Sequence, residues 1–182
     1  PVYAGSFLPK YTMGWGTTFS YKGLSFDIQF DMKQGGVFWS GTKDQLEFNG
    51  TTLSSLVNNR EPYVIPNSVV ANLDGTFSEN TTPVTNLANM FGAVASPPDI
   101  THIVDASYIK LREASISYTF DKKFFKNVPI SAISIGVVGR NLKFWLPSEN
   151  VYADPESNAY GQIGNEQGVE QSNTPAVRSV GF

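Results

Sequence analysis

Residues 11–21 have the sequence YTMGWGTTFSY, and after Lys22 and Gly23 residues 24–33 have the sequence LSFDIQFDMK. In both stretches aromatic or other large apolar side chains occupy every second position except Thr17, and small or polar side chains lie between them. Successive residues of a β-strand point to opposite faces of its sheet, so this period of two predicts two strands, each with one apolar and one polar face. The two-residue link between them predicts a tight hairpin.

Three further strands are predicted downstream. Residues 108–120 alternate in the same way, although the apolar positions change face near Arg112 and Glu113, which indicates a β-bulge there. Residues 130–144 alternate as well, and a last strand begins within residues 176–182. The chain therefore predicts about five strands of similar character.

The connections between these strands are alternately short and long. The long ones are residues 34–106, in which a short helical turn is expected around 84–91, and residues 146–175. Outer-membrane β-barrels have short turns at one rim and long loops outside, and strands of about eleven residues cover their apolar band of roughly 25 Å. The predicted fold class is all-β: antiparallel up-and-down strands of a large transmembrane β-barrel with long extracellular loops.

Composition excludes several classes of protein. The thirteen Lys and Arg side chains are scattered and the net charge is −3, so no basic stripe is available to bind nucleic acid. The chain has no Cys, which excludes disulfide scaffolds, thiolate metal sites and Cys nucleophiles. No stretch approaches the ~20 consecutive apolar residues of a membrane helix.

Several motifs resemble one protein family in order and spacing. Residues 105–118, DASYIKLREASISY, resemble a segment near the C-terminus of the SusC/RagA-family TonB-dependent transporters of Bacteroidetes. Residues 138–142, VGRNL, are similar to the family's penultimate strand, and residues 154–156, DPE, followed by 174–182, TPAVRSVGF, are similar to its final loop and last strand. Residues 9–11, PKY, enter the first hairpin in a family-like way, so the resemblance covers nearly the whole chain.

The resemblance implies that residues 1–182 are the C-terminal portion of a TonB-dependent receptor barrel in the cell outer membrane. It further implies import of oligosaccharides or peptides, energised through TonB by an N-terminal part, with a SusD-like surface lipoprotein as partner and outer-membrane lipid around the strands. The family's last strand continues beyond a position like Phe182, so a cut is expected there. Because about eight strands are the minimum for a closed barrel, this chain is expected to be ordered only with further strands.

No catalytic, cofactor-binding or metal-binding constellation is predicted, so the chain is not expected to be an enzyme. His102 is the only histidine, and a zinc site or Ser-His-Asp triad would need partners from elsewhere; we interpret it as an ordinary loop residue. Asp27 and Asp31 share a strand face and could form an acid/base pair, but polar side chains are also what the inner face of a barrel requires.

Six residues in or beside the long loops are candidates for contact with a ligand or partner: Phe38, Trp39, Trp145, Tyr152, Asp154 and Tyr160. Exposed aromatic rings have flat apolar faces and polar edges, so they can stack on sugars or pack against a partner protein. Packing between the loops is the alternative use of the same rings. The loop around Asp154 is open to both interpretations.

A second hypothesis is a soluble, secreted β-sandwich that binds glycans through aromatic loop residues, and a glycoside hydrolase is a weaker third. The sandwich requires the apolar strand face to pack against a second sheet of this chain. It therefore needs more strands within residues 34–106 than the sequence indicates.

Overall fold

The computed structural model describes residues 3–85, 99–125, 128–159 and 167–182. The strands in these ranges are β1 Tyr11–Tyr21, β2 Leu24–Gln34, β3 Val37–Ser40, β4 Val69–Ala71, β5 Phe77–Glu79, β6 Ile103–Asp105, β7 Tyr108–Asp121, β8 Ala132–Trp145, β9 Val169–Glu170 and β10 Ser179–Gly181. The helical segments are α1, Gly41–Phe48, and 3₁₀ turns at Leu53–Arg60, Asp99–His102 and Lys122–Phe124. No helix in the described part is long and apolar enough to cross a membrane.

Five strands form one open antiparallel sheet in the order β1-β2-β7-β8-β10. The four longest strands have 11 or 14 residues, and the predicted all-β, antiparallel class is confirmed. A smaller sheet has the order β6-β3-β9, and β4 and β5 form a separate hairpin. Compared with the ranges expected from sequence, β2 extends to Gln34 and β8 to Trp145, whereas β10 includes only Ser179–Gly181.

The strands of the large sheet pair so that their apolar side chains all lie on the same face. Its apolar face comprises Met13, Trp15, Phe19, Phe26, Ile28, Phe30, Ile116, Ile133, Ile135, Val137 and Val180. This face is open, since Phe19 is 60% exposed and Ile135 64%. Within the described ranges no second sheet covers it, so the packing required by the sandwich hypothesis is absent there.

A β-bulge lies at Arg112, as the sequence predicts. On the β2 side, Leu111 of β7 pairs with Phe30 but Glu113 pairs with the adjacent Gln29, so Arg112 is an extra residue relative to β2. On the β8 side, Leu111 pairs with Lys143 and Glu113 with Arg140, so there β8 has the extra residue. Because of this extra residue, Leu111 lies on the apolar face together with the residues after the bulge, even though its parity differs from theirs. Opposite the bulge, Asn141 has a φ of +52°, a left-handed conformation that asparagine tolerates better than most residues.

The connection between β2 and β7 contains regular structure that the sequence analysis did not predict. It leaves β2 through Gly35 and Gly36, both with positive φ, and β3 then pairs with β6 at the other end of the connection. Helix α1 begins after Ser40, whose Oγ accepts a hydrogen bond of 3.1 Å from the backbone N–H of Lys43. Where a helical turn was expected, at 84–91, Val84 instead bridges to Tyr63, and residues 86–91 lie outside the described ranges.

Candidate functional site

The polar face of the large sheet meets the loop that follows β8. This face comprises Thr12, Thr18, Asp27, Gln29, Asp31, Lys33, Lys110, Ser115, Ser117 and Arg140. Residues 154–156 of the loop lie over it at the end of the sheet where β2 ends and β7 begins. We call this contact the loop–sheet junction and define it as Asp31, Tyr108, Lys110, Arg112, Asp154 and Glu156.

Three side chains of β7 converge on the carboxylate of Glu156. Tyr108 donates its hydroxyl at 2.8 Å, Lys110 its ammonium at 2.5 Å, and Arg112 its Nη1 at 2.9 Å with Nη2 on the second oxygen. Every second strand residue faces the same way, so the spacing of Tyr108 and Lys110 brings both donors to one side of the sheet. The bulge supplies the third donor.

The protonation of Glu156 reflects this environment. Burial by itself raises the pKa of the Glu156 carboxyl, but hydrogen bonds from Arg112, Lys110 and Tyr108 favour the ionised form and together lower the pKa to about 2. The carboxylate is therefore charged throughout the physiological range.

Arg112 and Lys110 extend the network in two directions. Arg112 also donates to Asp31 of β2, at 2.6 Å from Nη2 and 3.1 Å from Nε, so it links the sheet to the loop. Lys110 is only 2% exposed, with its Nζ 3.8 Å from Asp154 and 4.7 Å from the ring centroid of Phe144. Charge-assisted hydrogen bonds of this kind fix geometry, because each donor has a defined partner.

Asp154, a predicted contact residue, is buried within its own loop. Its carboxylate accepts the backbone N–H of Glu156 at 3.0 Å and that of Ala176 at 3.3 Å. It therefore connects the loop after β8 to the segment that leads into β10. In this structure Asp154 serves packing between the loops, which the sequence analysis left open.

The aromatic candidates are distributed over different surroundings. Phe38 is 4% exposed and packs with Val104 and Ala106 in the core of the small sheet. Trp39, beside it, presents an edge-on contact to His102 with centroids 6.3 Å apart. Both rings hold the connection together in the described conformation.

Trp145 and Tyr152 lie in two other places. Trp145 is 44% exposed on the apolar side of the sheet, with its ring centroid 6.3 Å from that of Phe30. Tyr152 is half-buried, and its ring centroid lies 5.6 Å from the Lys43 ammonium. The ring borders a cavity of about 510 Å³. Tyr160 lies outside the described residues.

His102 has a more specific position than an ordinary loop residue. It is 2% exposed, and its Nε2 lies 3.2 Å from Glu47 and 3.6 Å from Asp44, both on α1. The contact attaches α1 to the segment before β6. Within the described ranges no group of three or more His, Asp or Glu side chains is placed to hold a metal ion.

Glu156 and its three donors lie within the family-like motifs 154–156 and 105–118, but their contact with one another was not predicted from the sequence. The signal that could have found them was the run of Tyr108, Lys110 and Arg112 at alternate positions of one strand, which is an unusual concentration of long polar side chains. Their common partner lies more than 40 residues further on, and no local pattern indicates such a contact.

Comparison with known proteins comes from sequence and from structure. The chain matches no family model. Over 182 residues it is 24% identical to the TonB-dependent receptor P26 of Formosa agariphila; the match covers 98% of this chain and 17% of the receptor. The chain thus spans less than a fifth of that relative's length.

The fold is similar to part of a solved peptide importer. The RagAB peptide importer in its closed-closed state matches 91% of this chain and 16% of its own, with a TM-score of 0.57 and 22% identity. In its open-open state the TM-score is 0.52 with 20% identity, over 80% of this chain and 14% of that one. The predicted resemblance to SusC/RagA-type TonB-dependent transporters is confirmed by the receptor of similar sequence and by the shared fold.

Proposed function

We propose that this chain forms the C-terminal portion of the wall and outer loops of an outer-membrane importer. The observation that carries the proposal is the open sheet with a continuous, exposed apolar face and a charged opposite face. Such a face is costly in water but suits the hydrocarbon of a bilayer, while the polar face suits the interior of a barrel. The exposed apolar side chains thus have a natural environment in lipid.

The positions of the connections support an orientation for this sheet. The tight turn at Lys22 and Gly23 and the link after Asp121 lie at one end, whereas the small sheet and α1 lie beyond Gln34 and Trp145 at the other. In barrels of this class the short turns face the periplasm and the long loops face outward. We therefore place residues 34–106 and 146–175 outside the cell.

The proposed activity is import of a peptide or oligosaccharide, energised through TonB and assisted by a SusD-like surface lipoprotein. Two similarities support this assignment: the relative from Formosa agariphila is a TonB-dependent receptor, and the solved RagAB assembly of similar fold is a peptide importer. Import of this kind requires binding and conformational change but no covalent chemistry, in keeping with the proposal that the chain is not an enzyme.

Among the candidate contact residues, Tyr152 is the one we propose for contact with cargo or partner. Its ring is half-buried and borders the cavity of about 510 Å³ between α1 and the loop after β8. Phe38 and Asp154 are engaged inside the loops, and Trp145 is on the side that we assign to lipid.

The experiment follows the whole transporter in its own cells. Outer-membrane fractions are separated by electrophoresis with and without boiling, and uptake of labelled peptides and labelled oligosaccharides is compared between wild-type and deletion strains. The proposal predicts an outer-membrane band that moves on heating and loss of uptake of one cargo class in the deletion strain. A soluble protein that does not change mobility on heating contradicts the proposal and favours the secreted, glycan-binding β-sandwich.

A further inference from the structure

A cavity of about 460 Å³ lies beside the loop–sheet junction on the polar face. Its floor is one row across three strands, since Thr12 pairs with Lys33 and Lys33 pairs with Tyr108. One side is formed by the segment before β1, including Phe7 and Leu8, and the other by the loop that carries Glu156. This volume is in the range of sites that hold small molecules or a few residues of a polymer.

Backbone hydrogen bonds fix the sides of the cavity. Val37 N donates to Ser6 O at 2.9 Å, and Trp39 N donates to Gly168 O at 2.8 Å. Gly168 has a φ of +80°, and a Cβ atom there would lie 2.6 Å from Cβ of Phe7, so only glycine allows the two segments to approach this closely. The cavity is therefore formed before any ligand arrives.

Lys33 differs from the other cations of the polar face. Lys110, Arg112 and Arg140 each have a carboxylate oxygen within 3 Å, at 2.5, 2.6 and 2.8 Å. Lys33 is half-buried, and no carboxylate of the described residues lies within 4.0 Å of its ammonium. A partly desolvated charge is unfavourable until it is paired, so this ammonium favours an anion that enters the cavity.

The carboxylate that shares the lining of this cavity with Lys33 is already engaged. Glu156 borders the same cavity, but Tyr108, Lys110 and Arg112 direct their hydrogen bonds to its two oxygens. Moving it toward Lys33 would break these bonds and detach the loop. An anion supplied by a ligand meets no such constraint.

We propose that this cavity binds a carboxylate of the transported cargo, with the Lys33 ammonium as its counter-ion. The ring of Phe7 and the aliphatic side chain of Leu8 lie beside it. The inference rests on the proposed function. Carboxylates occur in acidic peptides and in uronic-acid oligosaccharides, and both present the same chemistry to Lys33. A charge-assisted hydrogen bond contributes about 1.5 to 3 kcal/mol, so the carboxylate form of a cargo is expected to bind at least roughly tenfold more tightly than its neutral form.

The test uses the full-length transporter in detergent and two matched pairs of ligands, measured by calorimetry. One pair is a peptide containing glutamate and the same peptide with glutamine; the other is an oligogalacturonate and its carboxyl-reduced form. We compare wild type, Lys33→Met, Lys33→Arg and the control Lys22→Met, which alters a lysine in the turn at the other end of the sheet. A heat-dependent change of mobility verifies that each variant has folded.

The expected result is a preference of about tenfold for the charged member of one pair, lost in Lys33→Met and kept in Lys33→Arg and Lys22→Met. The pair that shows the preference identifies the cargo class.

Equal affinity for charged and neutral ligands, or a preference that persists in Lys33→Met, overturns the inference while import itself stands. Should Lys33→Met fail to fold, equal binding of charged and neutral ligands by wild type or Lys33→Arg still overturns it. Failure of the proposed function is a separate result, seen as absence of the protein from the outer membrane.

Discussion

Glu156 shows how one side chain can hold a long loop against a sheet. Its carboxylate accepts hydrogen bonds from Tyr108, Lys110 and Arg112, and Arg112 in turn binds Asp31. A buried donor that loses its partner costs about 1 to 3 kcal/mol. The position of residues 154–156 therefore depends strongly on the charge of this single residue.

Glu156→Gln is expected to loosen the loop after β8. Glutamine removes the negative charge and places an N–H donor where three donors already point. The free energy that holds the loop against the sheet should therefore become less favourable by about 1 to 3 kcal/mol. Limited proteolysis of the full-length protein should then cut residues 146–159 several-fold faster. Glu149→Gln, an exposed change in the same loop, is the matched control and should leave the rate unchanged. Equal rates in both variants contradict the role of the junction.

Docking of this loop should also depend on pH. The pKa of Glu156 is lowered from 4.5 to about 2, so the stabilisation is complete above about pH 4.5 and is lost as the pH falls toward 2. Because part of the side chain is exposed, solvent screening reduces the effect to roughly 1 to 2 kcal/mol. Cleavage by an acid-active protease should accelerate over this interval in wild type but not in Glu156→Gln. A pH-independent rate in wild type would falsify the assignment.

At the scale of elements, the long strands could be predicted because each repeats one simple pattern over 11 or more residues. The bulge at Arg112 was indicated by a change of face along β7, and the structure has the register shift there. The small sheet was missed for a physical reason. β3 has four residues and β9 two, and the pairing of Trp39 with Val169 joins positions far apart in sequence, which no local periodicity indicates.

Deletion of Ser117 is expected to disrupt the sheet, whereas deletion of Arg112 is expected to keep every residue of β7 on its present face. Arg112 is the extra residue relative to β2, so its removal leaves Leu111 and Glu113 at consecutive positions on opposite faces. Loss of Ser117, in the regular part of β7, must move the residues on one side of it to the other face, since a shift of one residue inverts a strand. Assembly of the full-length barrel, measured as the heat-modifiable fraction in the outer membrane, should therefore fall sharply without Ser117 and much less without Arg112. Equal loss of assembly in the two deletions would contradict the bulge.

For the molecule as a whole, the class of fold followed from the sequence because the apolar and polar faces are continuous across the strands. The surroundings of the candidate site residues did not follow from the sequence. Phe38 and Asp154 were chosen for their residue type and position in loops, and both are buried by contacts with distant segments. Burial of loop residues depends on tertiary pairing, so composition alone cannot distinguish an exposed ring from a packed one.

A charge on the apolar face should be far more harmful than the same charge on the polar face. Ile28 and Gln29 are neighbours near the middle of β2 on opposite faces. Ile28→Arg should destabilise the full-length protein in lipid by about 2 to 4 kcal/mol, the cost of an arginine near the bilayer midplane. Gln29→Arg should change stability by less than about 1 kcal/mol, as expected of a surface substitution. Equal unfolding midpoints in urea for the two variants would contradict the membrane orientation.

The pairing of β3 with β6 joins the two ends of the long connection directly beside β2 and β7, which are themselves paired. The segment between Ser40 and Ile103 therefore departs from and returns to nearly the same point of the sheet. For the pairing of β2 with β7, this insertion is equivalent to a short turn. Its length and sequence can therefore change without any change in the register of these two strands.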